Sequence, residues 1–352
     1  MKNTFGNAVS LTIFGESHGP AVGAVLDGLA AGLPVDEAAI AAALDRRRAR
    51  GDGLSTARTE ADEVEFLSGV YEGHTTGTAV TLMIRNLNTR SGDYAKTAGL
   101  LRPGHADFTA HAKYEGWQDA RGGGHFSGRL TAASVAAGAL CETVLRQLGV
   151  RVCTHIAACA GVEDAPLSSA AGLALAEPAP GHFALLDPGR EAAMQEAIRA
   201  AGRDGDSVGG ILETIVTGLP AGIGEPWFDS VESELAHLMF SIPACKGLEF
   251  GAGFRFAGMR GSEANDPFTM RDGRVVTATN RNGGINGGIT NGMPLVFRTV
   301  IKPTPSIYKE QHTVDYAARR DALLQIKGRH DPCIVPRAAV VQNTLALSLI
   351  HI

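Results

Sequence analysis

The stretch Arg121 to Leu148, RGGGHFSGRLTAASVAAGALCETVLRQL, decides how the chain is read. Its second part, Ser127 to Leu148, predicts the best helix of the sequence, with apolar positions throughout and Gly138 as almost its one breaker. A helix that is apolar all round and rich in alanine belongs between layers rather than at a surface. Its first part, Gly122 to Gly124 followed by His125, Phe126, Ser127 and Arg129, brings bare backbone to the start of that helix. Exposed N–H groups, a hydroxyl and a guanidinium there suit an anion. The spacing is neither that of a phosphate-binding P-loop nor that of a dinucleotide fingerprint. Close helix packing explains the same glycines without any ligand.

Around this helix the pattern alternates irregularly. Val9–Phe14 and Ala21–Leu26 read as strands, with His18 on the turn between them. Glu37–Arg48 reads as a helix capped by Asp36 and closed by Arg46, Arg47 and Arg48. Further strands are expected at 64–71, 78–84, 151–160, 209–218, 248–256 and 293–301, and helices near 191–201, 228–240 and 337–349. Strands and helices that do not alternate regularly favour an α+β fold over a doubly wound one. No repeat or linker divides the 352 residues, so one domain is expected, with a surface insertion in the Pro- and Ala-rich stretch 161–188.

Composition narrows the function. A formal net charge of −5 disfavours a polyanionic partner such as nucleic acid. No apolar run is long enough for a membrane span or a signal peptide, so a cytoplasmic protein without membrane association is expected. The five cysteines, Cys141, Cys153, Cys159, Cys245 and Cys333, lack zinc-like spacing and read as reduced, buried thiols. No His/Cys/Asp/Glu grouping has metal-ligand spacing. The 44 glycines cluster at 122–124, 283–284 and 287–288, which serves turns or a close approach of backbone to a ligand.

Several short constellations carry chemistry. His18 can donate or accept a proton near neutral pH, next to the Ser17 hydroxyl; an exposed turn histidine is the plainer reading. Arg102, His105 and Asp107 surround a turn that enters a helix, where they can seat an anion, or where Asp107 simply caps the helix. Residues 280–292 are a glycine-rich hairpin or a flat cover for a ring system. Lys302, Thr304 and Ser306 offer contacts to a phosphorylated arm. Arg329 and Asp331 add a cation and a carboxylate on a turn fixed by Pro332, or a surface ion pair. His155, in an apolar strand, suits a structural role.

Taken together, these residues resemble the chorismate synthase family along nearly the whole chain. The matching stretches are 14–20, 45–48, 67–77, 102–107, 121–124, 241–247, 283–292, 302–306 and 328–333. The resemblance implies antiparallel sheets sandwiching a helical layer, a homotetramer, and an anti-1,4-elimination of phosphate from 5-enolpyruvylshikimate 3-phosphate to give chorismate. Reduced FMN would be the cofactor, with NADPH an indirect electron source through an external flavin reductase.

By the same resemblance His18 protonates the leaving phosphate, His105 keeps the flavin protonated and Asp331 helps take a proton from it. Ser17, Arg47, Arg102, Arg129 and Arg329 would hold phosphate and carboxylates. FMN would meet His125, Phe126, Ser127, Pro243, Ala244, Gly287, Lys302, Pro303, Thr304, Pro305, Ser306 and Arg329. Two departures stand out. The family's usual Arg-Ser-Ser-Ala-Arg-Glu-Thr is here His125 to Thr131, and Gly53 stands where the family has an arginine. The first motivates an alternative, a flavin- or phosphoanion-binding paralogue without catalysis.

Overall fold

A computed structural model describes residues 2–56, 60–88, 99–167, 183–326 and 330–350. Two five-stranded sheets dominate it. The first contains β1 (Thr4–Phe5), β2 (Ser10–Gly15), β3 (Ala21–Asp27), β4 (Val64–Ser68) and β5 (Val80–Arg85), in the order β1-β2-β3-β5-β4. The second contains β6 (Arg151–Cys159), β7 (Val162–Glu163), β8 (Gly210–Thr217), β9 (Cys245–Phe250) and β10 (Leu295–Ile301), in the order β9-β10-β8-β6-β7. Every neighbouring pair is antiparallel.

Alternation in the sequence fixes the inner faces. Val22, Ala24 and Leu26 on β3 and Val80, Leu82 and Ile84 on β5 are buried, as are Leu212 and Val216 on β8 and Phe297 and Ile301 on β10. Helices fill the space between. Helix α3 (Thr131–Gln147) packs on β2, β3 and β5 of the first sheet, α6 (Val335–Ile350) packs on β6 and β8 of the second, and α1 (Glu37–Arg47) packs on α3 and α6. Other helices are α2 (Asp107–Tyr114), α4 (Glu191–Arg203) and α5 (Val231–Met239), besides a single turn at Gly261–Ala264. This is the expected α+β sandwich with helices as its filling.

Helix α3 is buried over almost its full length because alanine dominates it. Small side chains let α3 and α6 approach until backbones meet: a Cβ on Gly138 would lie 2.2 Å from the Thr344 carbonyl oxygen. Polar groups inside the sandwich are paired. Gln342 on α6 donates to Thr214 at 2.8 Å and accepts from Thr299, and Thr214 meets Thr154 at 2.8 Å. His155 is buried between Asp164 at 2.9 Å and Glu213 at 3.0 Å, a cross-strand clamp consistent with a structural role.

Several expected elements shift. The helix expected from Ser127 begins at Thr131, after a 3-10 turn at Gly128–Leu130 that Ser127 caps by accepting from Arg129 N–H. The strand expected at 248–256 runs instead from Cys245 to Phe250. It stops because Gly251 and Gly253 take left-handed φ values of 54° and 55°, and a Cβ on Gly251 would strike the Arg281 carbonyl at 2.0 Å. The strand expected at 64–71 breaks at Gly69, where φ is 80°. Hairpins at Phe268–Thr277 and Gln311–Leu324 have no counterpart in the sequence reading. Of the stretch 161–188, residues 168–182 lie outside the described residues, while Phe183 and Leu185 are buried in the core. No described helix is long and apolar enough to cross a membrane.

Candidate active site

The β2–β3 hairpin carries His18 in a turn that only glycine can open. Gly15 has φ 100°, and a Cβ there would sit 2.4 Å from the Ala21 carbonyl oxygen. The turn is stitched to the glycine run leading to α3: Ser17 N–H donates to Gly124 O at 3.1 Å, and His125 Nδ1 bonds Gly15 O at 2.9 Å. Gly122, Gly123 and Gly124 all have left-handed φ values, 59°, 84° and 53°.

Those glycines face the two candidate histidines. A Cβ on Gly122 would come 2.4 Å from His18 Cε1 and 2.5 Å from its Nδ1. A Cβ on Gly123 would come 3.3 Å from both Cε1 and Nε2 of His105. Residues 87 positions apart in sequence, 105 − 18, thus lie against adjacent residues of one bare strand of backbone.

His105 is held from the other side. Asp107 accepts from Arg102 N–H (3.0 Å), Nε (2.8 Å) and Nη2 (2.7 Å), and from His105 Nδ1 at 2.6 Å. Arg102 Nη2 is 3.1 Å from His105 Nδ1, but a guanidinium only donates, so the shared acceptor is Asp107 Oδ1. The carboxylate therefore fixes the tautomer with hydrogen on Nδ1 and leaves Nε2 beside Gly123. Burial alone would raise the Asp107 pKa; hydrogen bonds and charges from Arg102 and His105 outweigh it and hold the carboxyl well below its ordinary range. Asp107 opens α2 without capping it, since no side-chain cap is present.

The segment 302–306 connects this turn to Asp331. Lys302 Nζ donates to Gly104 O at 2.6 Å, its own N–H donates to Ala244 O at 2.9 Å, and Thr304 Oγ1 donates to Asp331 O at 2.7 Å. Ala244, next to Pro243, has φ 71°. Asp331 also lines a cleft of about 470 Å³ together with Ser306, Tyr308, His330, Arg199 and Arg203. Among the described residues, the buried His330 Nε2 atom has no hydrogen-bond partner. Burial first, and the Arg102 charge second, lower the His330 pKa.

The arginines are arranged differently from what a direct grip on a ligand would require. Arg47 is fully buried and spends its donors on the protein: Nη1 on Asp62 (3.1 Å), Nε on Thr131 Oγ1 (3.0 Å) and Nη2 on Gly128 O (3.0 Å). Arg129 bonds the other Asp62 oxygen, Asn86 Oδ1 at 2.8 Å and Arg85 O at 3.2 Å. Asp62 holds both from a left-handed conformation, φ 55°, which aspartate tolerates better than most non-glycine residues. With Arg337 paired to Asp331, three guanidinium groups face two carboxylates. Burial and the Arg337 charge pull the Arg47 pKa down to about 9, against the opposing pull of Asp62. A partly buried cluster with surplus positive charge favours an incoming anion.

Of the remaining expected positions, Phe126 is 39% exposed and tilts against Tyr114. Gly287 stands apart, in the turn of the hairpin Ile285–Thr290, whose described contacts run to Pro220, Ile223, Glu225 and Ser230. Within 280–292 the strands that pair are Ile285–Asn286 and Ile289–Thr290. Arg329 lies outside the described residues. Asp62, Asn86 and Arg337 were not anticipated: Asp62 and Asn86 meet arginines 15 and 43 residues away, and Arg337 lies beyond the motif that holds its partner Asp331.

The sequence pattern of the chorismate synthase family matches residues 9–352. The chorismate synthase of Methanosarcina mazei is 48% identical over 343 residues, covering 97% of this chain and 93% of that protein. That of Archaeoglobus fulgidus is 47% identical over 348 residues, covering 99% and 96%. A crystal structure of a chorismate synthase superposes with a TM-score of 0.75 at 28% identity, over 98% of this chain and 90% of that one. A match spanning nearly every residue, in sequence and in fold, means that the chain belongs to the chorismate synthase family.

Proposed function

We propose that the protein forms chorismate from 5-enolpyruvylshikimate 3-phosphate by anti-1,4-elimination of phosphate, the step that feeds aromatic amino acid biosynthesis. The observation that carries this reading is the placement of His18 and His105 against Gly122 and Gly123, with the His105 tautomer locked by Asp107. Elimination needs a group that protonates the departing phosphate and a surround that stabilises negative charge. His18 supplies the proton to the phosphate oxygen. Ser17 and Arg102 lie in the same cluster, and the surplus positive charge of Arg47 and Arg129, which share the single carboxylate of Asp62, favours the anionic substrate.

The residues present fit FMN. The cleft is bordered by Ser306, Tyr308, Asp331 and His330, whose buried Nε2 has no hydrogen-bond partner among the described residues, and Lys302, Thr304 and the backbone of Ala244 form one connected wall. His125, Phe126, Ser127, Pro243 and Gly287, with Pro303, Pro305 and Arg329, complete the proposed contacts by resemblance. Reduced FMN, when bound, supplies electron density to the breaking C–O bond and recovers it with the hydrogen. His105, when Nε2 takes up a second proton and Asp107 offsets the imidazolium charge, keeps that environment protonated, and Asp331 accepts a proton at the end of the cycle.

We read the chain as one cytoplasmic domain that draws its reduced flavin from an external reductase, with NADPH as indirect reductant. Trp227, Phe228 and Phe254 are 86%, 90% and 82% exposed, which supports assembly into a homotetramer. The test is anaerobic turnover with photoreduced FMN. Stoichiometric release of phosphate and chorismate is expected; substrate and flavin binding with no phosphate released overturns the catalytic reading and leaves the binding paralogue.

A further inference from the structure

We infer that Arg337 is a positioning residue that orients Asp331, leaving one carboxylate oxygen to receive a proton; this rests on the role proposed above for Asp331. Arg337 lies in the first turns of α6, six residues beyond Asp331 and outside every motif read from the sequence. Its Nη1 lies 3.1 Å from Asp331 Oδ1 and 3.3 Å from Oδ2, while its Nε donates to Arg47 O at 3.1 Å. One guanidinium thus ties the C-terminal end of α1, where helix carbonyls lack intrahelical donors, to the carboxylate on the cleft wall. Both side chains are largely sheltered, Arg337 19% and Asp331 18% exposed.

The two oxygens of Asp331 are unequal. Oδ1 accepts from Thr56 N–H at 2.9 Å as well as from Arg337, whereas among the described residues Oδ2 has only the longer Arg337 contact. Oδ1 is the anchored atom. Oδ2 retains lone pairs for a proton, which then passes to water and restores the carboxylate. Thr304 Oγ1 fixes the Asp331 backbone from the opposite side, so rotation of the carboxylate is what Arg337 controls. A fork that bonds in a fixed plane does this better than a point charge.

The test is a double-mutant cycle read by anaerobic phosphate release at saturating reduced FMN. Arg337→Gln is expected to lower kcat about 10²-fold, the cost of misplacing a reacting group by about 1 Å, with substrate KM changed less than about threefold. Arg337→Lys recovers part of the loss at an unchanged melting temperature. In an Asp331→Asn background, Arg337→Gln changes kcat less than about twofold, because its effect runs through the carboxylate. An undiminished effect in that background overturns the proposal, as does a parallel loss of kcat, KM and melting temperature that Lys does not rescue. Wild-type turnover by Asp331→Asn alone is a different failure: it removes the role of Asp331 on which the proposal stands.

Discussion

At the scale of single residues, the site depends on side chains that are absent. Gly122→Ala would place a methyl 2.4 Å from His18 Cε1 on a backbone with φ 59°. The imidazole must move, so turnover is expected to fall at least about 10²-fold, with about 1–2 kcal/mol lost in denaturant unfolding. Asp107→Asn is expected to slow turnover about 10²-fold by releasing the His105 tautomer. It also has a pH signature. The folded-state pKa of Asp107 is depressed below its ordinary value of 3.8, so the stability it contributes is present above that value and is lost as pH falls further. The gap in denaturation midpoint between wild type and Asp107→Asn should therefore be wide at pH 7 and narrow below about pH 4. His18, Arg102, His105 and Asp107 were legible because each sits in a turn bounded by glycine or proline. Asp62 and Arg337 were not, since an ion pair from Asp62 to Arg47 across 15 residues and a hydrogen bond from Arg337 to the Arg47 carbonyl across 290 leave no local pattern.

At the scale of elements, α3 shows where propensity misleads. Gly138 reads as the weak point of an otherwise strong helix, and alanine there gains about 1 kcal/mol in an isolated helix. In this fold the added Cβ would meet Thr344 backbone and side chain at 2.2–2.7 Å, pushing α3 away from α6. Gly138→Ala should thus destabilise by about 1–3 kcal/mol in thermal or denaturant unfolding, opposite in sign to the helix scale. The same reasoning explains the boundaries that shifted. Alternation placed β3, β5, β8 and β10 correctly because one face of each is buried. It overran the end of β9 because the stop is set by backbone packing between Gly251 and the loop at Arg281 and Gly283. The short hairpins at 268–277 and 311–324 escaped notice because their side chains are mostly exposed and carry no period of burial.

At the scale of the molecule, two sheets packed over buried helices carry the functional residues in the connections between their elements. The large exposed apolar side chains point to contacts made by the assembled protein. Light scattering should report a tetramer, and Trp227→Ser with Phe228→Ser should shift it toward smaller species. The layered fold was legible in outline, because the buried alanine-rich helix demands cover on both sides; which connections come together at the site was not. The glycine run has a consequence at this scale as well. Each of the two imidazoles borders on bare main chain, where a methyl group would already collide or press. Exchange of side chains along the run is thereby closed off, so variation in the chemistry of this site has to come from the walls around the ribbon.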